Sequence, residues 1–398
     1  MEITIRDIKA FLLAPEKQNL VVVRVDTSEP ELFGYGCATL SYRAFAIAEV
    51  IERNLRPLLI GRDVSRIEDL WKLMMINSYW RNGPVLNNAV SGIDMALWDI
   101  KAKQAGMPLY QLLGGKCRDR VNIYRHCNAS STEEVLELAH QAVESGCTYI
   151  RAAYTGYDGP GSSGYICLEN NCRAYDPRRH RKSIVGLLEA LRSEFGDQIE
   201  LLTDTHERLD PADAIKLAKA LEPLDLFFME DPLAPEQAGW LPRIREQCAT
   251  PIAWGEVFSH PAEWMNPIQN RQIDYIRCHI SDIGGLTNAR KIATFAELYG
   301  VKTAWHGPLD ISPIGMAVAA HLDLASPNFG IQEVYTETER LHELFPGAPY
   351  CRDGAIWTSD TPGHGVTFNE MLAKRYPPHS EPTRWTEMRL PDGTLHTP

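Results

Sequence analysis

Runs of β-branched residues open the chain, at 2–13 (EITIRDIKAFLL) and again at 19–26 (NLVVVRVD), and a glycine-rich FGYGCATL follows at 33–40. That pattern predicts an antiparallel sheet with a loop after it. From about 44 to 113 the hydrophobic period becomes helical, through AFAIAEVIERNLRPLLIG, RIEDLWKLMMINSYW and NNAVSGIDMALWDIKAKQAGMPLYQLLGG. Gly114-Gly115 stops the last helix. Residues 1–120 are therefore expected to form a small α+β domain.

Beyond this point short apolar runs alternate with helix-period stretches. The runs are VNIYRH (121–126), TYIRAA (148–153), IELLTD (199–204), DLFFME (225–230), PIAWGE (251–256), DYIRCHI (274–280), VKTAWH (301–306) and FGIQEV (329–334). Stretches such as PADAIKLAKALEP and LTNARKIATFAELYG separate most of them. This is the signature of βαβ units and a parallel sheet. Eight runs suit a closed (β/α)8 barrel over 121–340 better than an open sheet, which would want a GxGxxG after its first strand. The Pro- and Gly-rich segment 341–398 is expected to return onto the first domain.

Composition narrows the function. With 398 residues, 44% hydrophobic and 23% charged, the chain has the make-up of an ordinary globular protein with a sizeable core. Its 40 Lys and Arg against 52 Asp and Glu leave a net charge of −12, which argues against nucleic acid as a partner. The same charge would repel an anionic substrate at long range. Nine scattered cysteines without CxxC spacing read as reduced thiols; Cys167-x4-Cys172 has no second pair nearby to complete a zinc site. No leader pattern begins the chain and no window approaches 18 apolar residues, so a cytoplasmic location with no membrane partner is expected.

Three consecutive predicted strands end in acids, Asp204, Glu230 and Glu256, spaced 26 residues apart, about one βα unit each. In a barrel they would converge at the C-terminal end of the strands, where this architecture keeps its active sites. Three such carboxylates repel one another and shift upward in pKa unless a cation neutralises them, and hard oxygen ligands suit Mg²⁺. Strand-end acids pairing with nearby arginines are the alternative. His126, Arg151, Arg277, His306 and Glu333 lie at or near other strand ends. His206, two residues past Asp204, would point to the same side of an extended segment. The basic run RRHRK (178–182) reads as a solvated helix start.

At these residues the sequence resembles the enolase superfamily and, within it, the mannonate dehydratase branch of D-galactonate and D-mannonate dehydratase-like enzymes. The likeness rests on YWRNGPV (79–85), SGIDMALWDIKAKQAGMPLYQLLGG (91–115), the three acids, IDYIR (273–277), GGLT (284–287), HGPLDISP (306–313), PNFGIQE (327–333) and TPGHGV (361–366). It implies a modified (β/α)8 barrel with an N-terminal capping domain. It further implies dehydration of a sugar acid to a 2-keto-3-deoxy acid through an enediolate. Asp204, Glu230 and Glu256 would hold one Mg²⁺ per subunit, and His206 would be the acid. Glu256, Arg277, His306, Asp310 and Glu333 would bind substrate oxygens, with His126 and Arg151 lining the approach. A symmetric homo-oligomer is implied as well.

The base is a tyrosine of the loop 154–182 in that branch, made more acidic by an arginine such as Arg151. Tyr165 is the choice by position, with Tyr154, Tyr157 and Tyr175 as candidates. The second strand end reads Ile150-Arg151-Ala152-Ala153 with no lysine, which disfavours a lysine-based racemase or cycloisomerase. The length of the loop suggests a lid. Three departures touch substrate choice: Pro308 in place of Ala, Ser41-Tyr42 in place of Asn-Gly over the site, and a C-terminus DGTLHTP that offers His396 where relatives carry a terminal Trp. An aldonate such as mannonate or gluconate is the expected substrate. Epimerisation, or a binding or regulatory role with little turnover, is the alternative. A dication among the three carboxylates leaves about −1, and Arg151 and Arg277 bring the rim to about +1, so a sugar carboxylate can dock despite the acidic exterior.

Overall fold

A computed structural model describes residues 2–160, 174–308, 310–335, 337–379, 386 and 388–396. Strands β1 (Ile5–Leu13), β2 (Leu20–Thr27) and β3 (Phe33–Cys37) form an antiparallel sheet. Alternating glycines in β3 let a helix lie directly on it. A Cβ at Gly34 would sit 2.1 Å from the Ala96 carbonyl oxygen, and one at Gly36 1.9 Å from that of Gly92. The helix so accommodated, Pro84–Gln104, is buried on nearly all sides, because it is wedged between this sheet and the barrel.

The barrel-facing side of that helix is polar, and most of its groups find partners across the interface. Asp94 accepts from the Thr287 amide (2.9 Å) and hydroxyl (2.5 Å), and Trp98 Nε1 donates to the same hydroxyl at 2.8 Å. Asn87 and Asn88 donate to the Asp282 backbone and side chain at 2.7 and 2.5 Å. Burial pushes the Asp94 carboxyl up to about 7. SGIDMALWD and GGLT thus fasten the two parts of the chain together.

After β4 (Val121–Asn122), strands β5 (Arg125–Ala129), β6 (Tyr149–Tyr154), β7 (Glu200–Asp204), β8 (Phe228–Glu230), β9 (Ile252–Trp254), β10 (Tyr275–Ile276) and β11 (Lys302–Thr303) form one parallel sheet in sequence order. Residues 329–332 close it through single parallel bridges, Thr303 to Phe329 and Ile123 to Gln332, so all eight predicted runs take a place in the ring. Strand β12 (Tyr350–Arg352) pairs antiparallel with one side of β13 (Ala355–Trp357), and β4 pairs antiparallel with the other.

The segment that follows lies on the capping sheet. Glu370 takes hydrogen bonds from Arg24 (2.6 Å) and Tyr35 (2.9 Å), and Phe368 packs edge-on to Phe11 and Tyr35. His364 of TPGHGV donates to the Tyr35 carbonyl at 2.9 Å, while its amide donates to buried Asp99. The cysteines Cys37, Cys117, Cys127, Cys147, Cys248, Cys278 and Cys351 are free; Cys167 and Cys172 lie outside the described residues. Among the described residues no helix is long and apolar enough to cross a membrane.

Candidate active site

One side-chain period builds the site. Tyr124, Leu202, Phe228, Ala253, Tyr275, Ala304 and Ile331 pack together inside the barrel as an apolar floor, with Tyr149 against them. Side chains two apart on a strand share a face. The residues two positions on from six of these are His126, Arg151, Asp204, Glu230, Arg277 and Glu333, and from Ala304 it is His306. Each therefore rises into the barrel mouth above the floor. Ala253 has Gly255 at the corresponding position, and its φ of +131° turns the chain so that Glu256 enters one residue later.

The mouth is a network of alternating charge. Arg151 is paired with Asp204, and its Nε lies 3.9 Å from Glu230. Arg277, fully buried, is paired with Glu230 and donates to Glu333 at 2.7 Å. Glu333 also meets His306 Nδ1 at 3.0 Å and His126 Nε2 at 2.7 Å, and accepts from the Gly307 amide at 3.0 Å. His306 reaches Glu256 at 3.5 Å and Asp310 at 3.3 Å, and behind Asp310 stands His279, whose Nε2 donates to the Asp310 carbonyl at 3.2 Å. The strand-end arginine pairing considered as an alternative to a metal is thus real, and it coexists with the carboxylate cluster.

The three predicted ligands do not shift together. Burial pushes Glu230 well above its ordinary range, and burial with Asp231 and Asp204 pushes Glu256 up to about 8. Asp204 goes the other way: burial would raise it, but His206 and Arg151 hold it below the usual carboxylate value. The expectation of a uniform rise fails there because two cationic or donor groups face that one carboxylate. Glu230 Oε1 is ion-paired with Arg277 Nε, whereas the buried Oε2 atoms of Glu230 and Glu256 have only longer contacts, 3.9 Å to Arg151 and 3.5 Å to His306. Ligand atoms converge within 4.8 Å in two sets that share Glu256: Asp204, His206 and Glu256, and Glu230, Glu256 and His306. Oxygen-rich, partly unpaired donors of this kind fit a hard dication.

His206 does not sit on an extended segment. Its φ is +46° and that of Glu207 +60°, a left-handed turn at the end of β7. The turn, held by the His206 amide on Asp204 Oδ1 at 2.7 Å, folds the imidazole back so that Nε2 lies 3.0 Å from Asp204 Oδ2. Burial, together with Arg151 and Arg208, brings His206 down to about 3. Tyr157 presents its hydroxyl to His206 Nδ1 at 3.1 Å, whereas Tyr154 bonds Thr132 and Tyr175 bonds His180. Tyr165 lies outside the described residues. Ser41 and Tyr42 follow β3, and neither hydrogen-bonds to the cluster among the described residues. In RRHRK, Arg178, Arg179 and Lys182 are exposed on the helix Pro177–Phe195, but His180 is buried, so the solvated-face reading fails at that residue.

Asp231, Glu207 and His279 also reach the site and were not anticipated. Asp231 is buried beside Glu230 and accepts from the Gly255 amide at 3.1 Å. His279 follows Arg277 by two residues, so the side-chain period that locates the rest could have found it.

Comparison with known proteins fits this architecture. Residues 3–114 match the mandelate racemase / muconate lactonizing enzyme N-terminal domain, and residues 134–372 the enolase C-terminal domain-like family. A D-galactonate dehydratase family member from Enterocloster bolteae is 51% identical over 401 residues, covering 100% of this chain and 99% of that protein. Family member RspA from Pantoea ananatis is 48% identical over 412 residues, 99% of each chain. Among solved structures, an enolase from Pantoea ananatis with bound D-gluconate and Mg superposes with a TM-score of 0.95 at 48% identity over the whole of both chains. An enolase superfamily member from Salmonella Typhimurium gives 0.84 at 25% identity, covering 94% of this chain and 98% of that one. The chain is an enolase superfamily enzyme. Within that superfamily, the chain belongs to the D-galactonate dehydratase family.

Proposed function

We propose that this protein is a Mg²⁺-dependent dehydratase that converts an aldonate, D-gluconate or D-mannonate, to its 2-keto-3-deoxy acid. The observation that carries the reading is the convergence of ligand atoms within 4.8 Å at the barrel mouth in two sets that share Glu256, one with Asp204 and His206 and one with Glu230 and His306. The relative solved with D-gluconate and Mg supports it. Asp204, Glu230 and Glu256 would hold the ion, which when bound supplies positive charge to the substrate carboxylate and to the charge that develops on it.

The chain's own residues do the rest. Arg277 and His306, whose imidazole is held well above its ordinary pKa by Glu256, Asp310 and Glu333 against the effect of burial, offer donors to substrate oxygens. Glu333 orients both at 2.7 and 3.0 Å, and Asp310 steadies the far side of His306. His126 stands at the open edge of the same ring. Abstraction of the proton next to the carboxylate falls to a tyrosine of the 154–182 loop, with Arg151 as its electrostatic partner. Tyr165 is assigned by position and Tyr157 is supported by its place beside His206. His206 is assigned to protonate the departing hydroxyl, which its place at the barrel mouth, with Nε2 3.0 Å from Asp204, supports. Ser41 in the capping loop is assigned to the substrate's far end.

The departures at Ser41-Tyr42 and Pro308 favour a second reading, a family member with little turnover on these sugars. Incubation with Mg²⁺ and a panel of aldonates and uronates, followed by assay for 2-keto acid, separates the two. We further propose a cytoplasmic homo-oligomer. The free cysteines support a reducing compartment, and Tyr79 and Trp80, 79% and 81% exposed, support an interface between copies. Light scattering after gel filtration tests the latter, a monomer being the contrary outcome.

A further inference from the structure

Arg208 is fully buried, two residues past His206. Its guanidinium lies over the Tyr157 ring, 4.5 Å from the centroid, and its Nη1 is 2.8 Å from the Met388 sulfur. Its carbonyl accepts from Tyr175 at 3.1 Å and from His396 Nε2 at 2.8 Å. Tyr175 has given its proton there, so His180 Nδ1, 2.7 Å away, donates to the Tyr175 oxygen. His396 stacks on Tyr175 with centroids 4.9 Å apart, and Met388 packs with Tyr157 and Tyr175, with Leu390 alongside. The turn of residues 389–395 that carries these groups is pinned by paired Arg389 and Leu395 and by the Tyr175 amide on the Arg389 carbonyl.

These contacts form a continuous path from the C-terminal turn through Arg208 to Tyr157, and from the Tyr157 hydroxyl to His206 Nδ1 at 3.1 Å. Tyr157, His206 and Glu207 all have left-handed backbones, at +64°, +46° and +60°, so something must hold them against relaxation. We infer that Arg208 is a positioning residue that clamps Tyr157 against His206, and that the C-terminal turn 388–396 is the part of the chain that keeps the clamp shut. Arg208 does this from outside the reaction: cation over ring fixes the plane of Tyr157, and the two bonds on its carbonyl fix the turn that carries His206. The inference rests on His206 being the acid of the proposed dehydration.

The test uses the full-length protein labelled with ¹⁵N-histidine, with the His206 imidazole signals assigned by their loss in His206→Asn. In Arg208→Met those signals should move while most other histidines keep theirs, and Arg208→Lys, which retains a cation over the ring, should restore them. In turnover of D-gluconate or D-mannonate, Arg208→Met should lower kcat at least about tenfold with KM within about threefold of wild type. His396→Ala, which removes one bond to the Arg208 carbonyl, should move the signals in the same direction and covers the case in which Arg208→Met does not fold. Unmoved His206 signals in a folded Arg208→Met or in His396→Ala would overturn the inference. Wild-type protein that turns over no aldonate would overturn the dehydratase reading instead, and the resonance arm would still decide the clamp.

Discussion

Arg277→Met removes the most enclosed charge in the barrel mouth. Arg277 and Glu333 are 0% and 2% exposed and 2.7 Å apart. At the effective dielectric of about 20 that suits such sites, unit charges at that distance attract by about 6 kcal/mol. Desolvation of both groups takes part of this back, leaving about 3–5 kcal/mol for breaking a buried pair from one side. Methionine fills much of the volume, so the loss is electrostatic rather than a cavity. For a barrel of this size the loss corresponds to a fall in Tm of roughly 6–20 °C, measured by scanning calorimetry in EDTA at neutral pH. Glu333→Gln added to Arg277→Met should recover part of it, because one of the two carboxylates that lose Arg277, Glu230 and Glu333, is then neutral. A melting point within about 2 °C of wild type, or a double variant less stable than Arg277→Met alone, would refute the reasoning.

Gly36→Ala should cost more than about 3 kcal/mol, read from the urea midpoint or soluble yield, since its Cβ would lie 1.9 Å from the Gly92 carbonyl oxygen of a packed helix. His279 is held up to about 9: burial acts downward, but Asp310 and Asp282 outweigh it. A histidine raised in the folded state contributes stability below its unfolded value, about 6.5, that is lost as pH climbs through 9. The urea midpoint should therefore fall between pH 6.5 and 9, and His279→Gln should flatten that fall. His206→Asn should abolish formation of keto acid while leaving Mg²⁺ binding, followed by calorimetry, within a few-fold of wild type; equal losses of both would assign His206 to the metal instead.

Strand–helix alternation made the barrel legible in the sequence, because each strand is a short apolar run with a charged residue or a histidine at or near its end. Asp204, Glu230, Arg277, His306 and Glu333 stood out for that reason, and the structure brings them into one network. The underlying rule, one floor residue followed two positions later by one functional residue, emerged only with the floor visible. His206 illustrates what spacing cannot supply. Two residues after Asp204 suggested the right neighbour, but a left-handed turn, not an extended strand, brings it there. The eighth run was found by composition, although it pairs through single bridges. His180 looked solvated because its neighbours are arginines and a lysine, and only the fold shows it turned inward onto Tyr175. The role of SGIDMALWD as a domain fastening was likewise hidden, since its partner Thr287 lies 193 residues from Asp94.

The central claim is that the strand-end carboxylates and His206 dehydrate a sugar acid with Mg²⁺. The most direct measurement is formation of a 2-keto-3-deoxy acid from D-gluconate and D-mannonate, with wild type, Glu230→Gln and EDTA-treated protein compared side by side. Keto acid is expected from at least one aldonate with Mg²⁺ and wild type, and none with Glu230→Gln or without the metal. No keto acid from either sugar, or equal amounts with and without Mg²⁺, would contradict it.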